Sequence, residues 1–183
     1  MILSRKFYQG KTLKVAQDLL GCFLVRKIGN KVIKCMITET EAYIGEDDLA
    51  CHASRGRTPR TEIMYGEAGR AYVYMIYGMY FMLNVVTERK NFPAAVLIRG
   101  VEASIEASIE ASKSLDGPGK LTKYFQIGKS LNGHDLTKGK KLWVEKGIKI
   151  KKSDIKSDKR IGIDYAQHCK HYLWRFHINA NRR

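Results

Sequence analysis

Residues 11–20, KTLKVAQDLL, space Leu13, Ala16, Leu19 and Leu20 at helical intervals, which lines them along one face, and Gly21 supplies a stop. Past Gly21 the period drops to two. CFLVRKI, the turn pair Gly29–Asn30 and KVIKCMITETEAY predict a strand, a hairpin turn and a longer strand. Residues 44–69, IGEDDLACHASRGRTPRTEIMYGEAG, are polar and turn-rich, and a loop of that length inside a small domain is usually functional or disordered. RAYVYMIYGMYFMLN, Arg70 to Asn84, predicts an aromatic hairpin, and AAVLIRGV a further strand. In VEASIEASIEAS a four-residue unit recurs, which at helical pitch stacks Val101, Ile105 and Ile109 and predicts a surface helix over 101–112. DGPGK opens a helix through LTKYFQI, with Pro118 in the first turn where a missing N–H costs nothing. RIGI and YLWRFHI predict closing strands. No composition shift marks a linker, so residues 1–183 read as one α+β domain: a mainly antiparallel curved sheet, flanking helices and a protruding β-hairpin.

Charge changes this picture from fold to partner. Lys and Arg total 33 against 18 acids, a net +15 with pI near 9.7, which suits a polyanion such as nucleic acid. The lysine-rich stretch KGKKLWVEKGIKIKKSDIKSDKR reads largely as solvated surface. No apolar run approaches the ~20 residues of a membrane span, and residues 1–25 lack a signal-peptide pattern. The expected compartment is therefore the cytoplasm of a prokaryote or the nucleus of a eukaryote, with no membrane partner. Cys22, Cys35, Cys51 and Cys169 are scattered without a CxxC pair and read as reduced thiols. QHCKHYLWRFH gathers His168, Cys169, His171 and His177, but not at the spacings of structural zinc, so no metal is expected. GPGK resembles a phosphate loop only superficially, since Leu121 follows GK and Ser114 stands where the motif needs glycine.

Candidate chemistry concentrates in two places. In the strand ending ETEAY, strict alternation puts Ile33, Cys35, Ile37, Glu39, Glu41 and Tyr43 on one face. Either that face emerges into water at the strand end, the reading that suits Glu39, or Glu41 is a partly desolvated carboxylate beside an aromatic wall and fit to act as a general base. In the hairpin, a two-residue loop of Gly78 and Met79 puts Tyr77 opposite Tyr80, with glycine where a type II′ turn demands it. Tyr77 at such a tip serves either as a wedge between base steps or as a packing contact to a protein or membrane. Tyr72 and Tyr74 lie below the tip, where they could line a pocket. The long loop carries His52, structural or functional, and Arg55, Arg57 and Arg60, the choice for DNA-backbone contacts.

ETEAYIGEDDLACHASRGRTPRTEIMYGEAGRAYVYMIYGMYFMLNVV, then AVLIRGVE, GPGKL and RIGI, resembles the alkyladenine (3-methyladenine) DNA glycosylase family over nearly the whole chain. The resemblance implies that Glu41 activates the water attacking the sugar C1′. It makes Tyr43 one wall of a purine pocket and His52 with Tyr74 the other. It assigns Tyr77 to the minor groove, Asn84 to rejection of the guanine 2-amino group, and Arg99 to the water and the target's sugar-phosphate. It further implies metal-free, cofactor-free hydrolysis of the N-glycosidic bond of 3-methyladenine, 7-methylguanine, hypoxanthine or ethenoadenine, flipped from double-stranded DNA, without strand cutting. A monomer is the default expectation. The short EASI segment and the lysine run depart from the family, and neither touches the pocket positions. The competing reading is a non-catalytic nucleic-acid-binding module with stacked tyrosines. A carbohydrate glycosidase would not need the charge, and a zinc deaminase would need the HxE and PCxxC signatures that are missing here.

Overall fold

The long strand predicted before the polar loop is the axis of the molecule. The computed structural model describes residues 1–103 and 115–178, and in it β2 runs unbroken from Lys31 to Ile44. It pairs first with β1 (Phe23–Ile28) across the Gly29–Asn30 turn, and along its other edge with β5 (Ala94–Ala103). The aromatic hairpin, β3 (Ala71–Ile76) and β4 (Tyr80–Val86), joins the sheet through β4 on β5. Four shorter strands complete it: β6 (Leu115–Asp116) beside β5, β7 (Leu142–Glu145) beside β1, and β8 (Ile155–Asp158) beside β9 (Arg175–Ile178), which itself pairs with residues 39–41 of β2. All these pairings are antiparallel.

Helices close one face. α1 (Arg5–Tyr8) and α2 (Thr12–Asp18) carry Tyr8, Val15 and Ala16 into the main core. α3 (Pro118–Tyr124), begun by Pro118 as expected, adds Leu121 and the following Phe125. α2 is shorter than the predicted helix, and Leu13 is only half-buried while Val15 is buried in its place. Its stop is a real need for glycine: Gly21 sits at φ +82°, and a Cβ there would lie 2.4 Å from the Ile148 carbonyl oxygen. Residues 45–69 fold over the opposite face as turns and two short 3₁₀ segments, His52–Arg55 and Glu62–Tyr65. Among the described residues no helix is long and apolar enough to cross a membrane.

Four local expectations are corrected. Strict alternation along β2 fails, because register shifts on either side of Glu39 insert an irregularity opposite β5. Ile33, Cys35 and Ile37 face the helix-covered core, and after the shift Ala42 faces it while Thr40 bonds to Ala16 of α2. Glu39, Glu41 and Tyr43 are thereby turned to the other face. The hairpin loop has three residues, with Ile76 paired to Tyr80 and Tyr77–Met79 outside the ladder. Tyr77 and Gly78 take φ 50° and 68°, and Met79 N–H closes the turn on the Ile76 carbonyl at 3.2 Å, so two successive left-handed residues replace the expected type II′ pair. RIGI is not a strand: Arg160 to Ile163 run as irregular backbone, whereas β7 and β8 arise inside the lysine-rich stretch read as surface, where Leu142 and Val144 alternate with their neighbours into the core. Val101–Ala103 belong to β5 and not to a helix, since Val101 pairs with Ile37. The rest of the EASI repeat lies outside the described residues.

Candidate active site

Directly opposed residues of antiparallel strands share a face of the sheet, and one such row builds the site. Glu41 on β2 opposes Leu97 on β5, Leu97 opposes Asn84 on β4, and Asn84 opposes Tyr72 on β3. The next row is Tyr43, Ala95 and Val86. Tyr74 stands two residues along from Tyr72, hence on the same face. The overlying loop adds His52, and together Tyr43, His52, Tyr72, Tyr74 and Asn84 line a recess backed by Ala50, Met64 and Ala95.

Glu41 is fully buried. Its Oε2 accepts the Tyr43 hydroxyl at 2.7 Å, its Oε1 accepts the backbone N–H of Ile161 at 2.9 Å, and Arg99 Nε lies 3.6 Å away. Burial pushes this carboxyl above the usual range, against the opposing pull of Arg99 and of the two hydrogen bonds. Arg99 is closer to Glu39, at 3.1 Å, and Glu39 also accepts Arg175 at 3.0 Å. The strand-end carboxylate expected in water is therefore a largely sheltered partner that holds two guanidinium groups beside Glu41.

The aromatic walls stay neutral. Burial raises the Tyr43 and Tyr74 phenols. His52 is lowered to about 4 by burial and by the charges of Arg60 and Arg55, so near pH 7 it is an uncharged imidazole. His52 Nδ1 lies 2.8 Å from the Tyr72 hydroxyl, and the imidazole meets the Tyr74 ring edge-on at 4.5 Å between centroids. The Arg60 guanidinium carbon lies over the Tyr74 ring, 5.2 Å from its centroid. Asn84 is buried, its side-chain amide donating to the Tyr72 carbonyl at 3.3 Å.

Tyr77 stands apart from this cluster, 86% exposed at the hairpin tip. A tyrosine in the left-handed region costs roughly 1–2 kcal/mol relative to glycine, and its ring gains no burial here that would offset the cost. Tyr77→Gly should therefore melt at the same temperature as the parent or higher. Thermal denaturation checks this, and a lower melting temperature would show that the ring stabilises the turn.

The three loop arginines separate. Arg57 is closed on Glu62 by two hydrogen bonds of 2.7 Å. Arg60 leans on the recess wall. Arg55 and Arg60 border a second cleft with Ser54, Thr58 and Tyr165, which shares His52 and Ala50 with the recess. Two groups escaped sequence reasoning. One is the Ile161 N–H, which no side-chain pattern announces. The other is the pair Arg160–Asp48, buried and bidentate at 2.6 and 2.8 Å; only the tertiary structure brings residues so far apart in sequence together.

Residues 6–182 match the family model described as methylpurine-DNA glycosylase (MPG). Among similar curated proteins, one from Methanocella arvoryzae is 46% identical over 185 residues, covering 96% of this chain and 92% of its own length. One from Clostridium perfringens is 43% identical over 200 residues (100% and 98%), and one from Sodalis glossinidius 48% over 180 residues (96% and 95%). Each bears the provisional name 3-methyladenine DNA glycosylase.

Proposed function

The chain belongs to the methylpurine-DNA glycosylase family, and on that premise we propose that it hydrolyses the N-glycosidic bond of alkylated or deaminated purines flipped out of duplex DNA, leaving an abasic site. The observation that carries this reading is the buried Glu41 carboxylate, joined by one hydrogen bond to a wall of a tyrosine-lined recess. A module that only binds phosphate has no use for a carboxylate placed there.

The chemistry follows from the geometry. A base inside a stacked duplex is unreachable, so the nucleotide must swing out, at a cost of a few kcal/mol that a damaged pair reduces. Tyr77 would fill the vacated space. Purines alkylated at N3 or N7 are cationic, and a cation gains ~0.5–2 kcal/mol over an aromatic face, which Tyr43 and Tyr74 provide. A neutral His52 adds a wall without repelling that charge. Such a base is already a good leaving group, so ionised Glu41 has two tasks: to stabilise the electron-poor sugar and to take a proton from the attacking water. Arg99 and Arg175 hold Glu39 alongside, and Arg99 also helps keep Glu41 ionised. Asn84 at the recess wall would crowd a guanine 2-amino group. Arg55 and Arg60, which border the neighbouring cleft, would meet backbone phosphates, contacts that carry no sequence information and weaken with salt.

The test is direct. Duplexes carrying one hypoxanthine, ethenoadenine, 7-methylguanine or 3-methyladenine are incubated with the protein and treated with alkali. Breaks at the lesion, and none before alkali, are the expected result. Tight binding without breaks at any lesion would favour the binding module instead.

A further inference from the structure

We propose that Arg160 is a positioning residue for this site: its buried guanidinium sets both the ring plane of the Tyr43 wall and the backbone N–H that holds the Glu41 carboxylate. The inference rests on the activity proposed above.

Arg160 has no exposed side-chain surface. Nη1 donates to the Ala42 carbonyl at 2.8 Å, between Glu41 and Tyr43 in the chain, and to Asp48 at 2.6 Å. Nη2 donates to Asp48 at 2.8 Å and to the Cys169 carbonyl at 3.3 Å. The guanidinium carbon lies over the Tyr43 ring, 4.8 Å from its centroid, and over the Trp174 ring at 5.0 Å. Arg160 does not line the recess, so it stands behind Tyr43 as a substrate would see that ring. The next residue, Ile161, supplies the N–H on Glu41 Oε1. RIGI is irregular backbone without a ladder to fix it, so the fork of Arg160 is what anchors that N–H. Asp48 also accepts the Ile44 and Ala50 N–H groups, which ties the start of the His52 loop to the same point.

Only a planar fork can do this. Lysine keeps the charge but cannot bond bidentately to Asp48 while also reaching the Ala42 and Cys169 carbonyls. The charged and titratable groups facing Glu41 are Arg99 from β5, Glu39 and Tyr43 from β2, Tyr74 from β3, Arg175 from β9 through Glu39, and Arg160 itself. With His52 neutral and the phenols protonated, Glu41 is the group whose ionisation sets the acid limb of the rate. Releasing Ile161 removes a hydrogen bond to the ionised form and moves that limb upward.

The experiment is single-turnover excision from a lesion-bearing duplex across pH, with parent and Arg160→Lys, both checked for folding by circular dichroism and melting. The expected result is a plateau rate about tenfold lower, with the acid limb displaced upward by about one pH unit. An acid limb that stays in place overturns the proposal, whether or not the rate falls, because general loosening would scale the rate without moving the limb. If Arg160→Lys does not fold, Arg160→Met combined with Asp48→Asn, which leaves no buried charge unpaired, is read by the same two outcomes. If neither folds, Arg160 is a structural residue and the proposal falls. No excision by the parent would sink the activity reading itself, whereas an active parent and an unmoved limb would sink only the role of Arg160.

Discussion

Glu41→Gln should bind lesion-bearing duplex as tightly as the parent and excise the base ~10²–10⁴-fold more slowly, the range that a positioned general base supplies. The substitution is close to isosteric. The glutamine oxygen can accept the Ile161 N–H while its amide donates to the Tyr43 oxygen, so both bonds of the carboxylate survive in altered form. What disappears is the charge and the ability to take a proton. Single-turnover rates measured beside binding on the same duplex separate chemistry from affinity, and excision within a few-fold of the parent would end the role assigned to Glu41.

The same variant makes a second prediction through stability. Glu41 has a folded-state pKa raised above its unfolded value, so the native state disfavours the ionised form. That penalty is absent below the unfolded pKa, near 4, grows as pH rises towards the folded pKa, and is constant above it. Glu41→Gln should therefore melt higher than the parent near pH 7, and the advantage should vanish near pH 4. Each ~1 kcal/mol of relief corresponds to ~2–4 °C in a chain of this size. A site that costs stability while holding a charge ready is what function, and not folding, selects.

Asp48→Ala should be the most damaging single change to the fold. It leaves the guanidinium of Arg160 buried without its counter-charge, and breaking such a pair costs ~3–5 kcal/mol, or ~6–20 °C in melting temperature. Two further N–H groups, of Ile44 and Ala50, lose their acceptor. Arg57→Ala provides the contrast, since its pair with Glu62 is solvent-exposed and its loss should leave the melting temperature unchanged. Equal melting temperatures for the two variants would show that the Arg160–Asp48 pair does not organise the loop.

Particular elements show how far the chain itself could be read. The β1–β2 hairpin was legible because its turn chemistry and its period agree, and α3 because Pro118 marks its start. RIGI failed because four apolar-rich residues say strand only if a partner edge is free to receive them, and β8 takes β9 instead. β7 and β8 hid among exposed lysines, so a stretch whose composition says surface carries two short strands. The hairpin loop was misread by one residue, since a left-handed tyrosine is a choice that propensity argues against.

Glu41 is the sharpest case. By itself the sequence determined that a carboxylate and a tyrosine sit two residues apart on one strand, that an aromatic hairpin and a basic loop accompany them, and which family they resemble. Only the tertiary structure decided which way Glu41 points. The irregularity at Glu39 depends on how β5 pairs across it, an interaction of residues some sixty positions away, and it reverses the face of everything that follows. Local pattern carries the identity of the groups, whereas long-range pairing and burial set their direction and their charge.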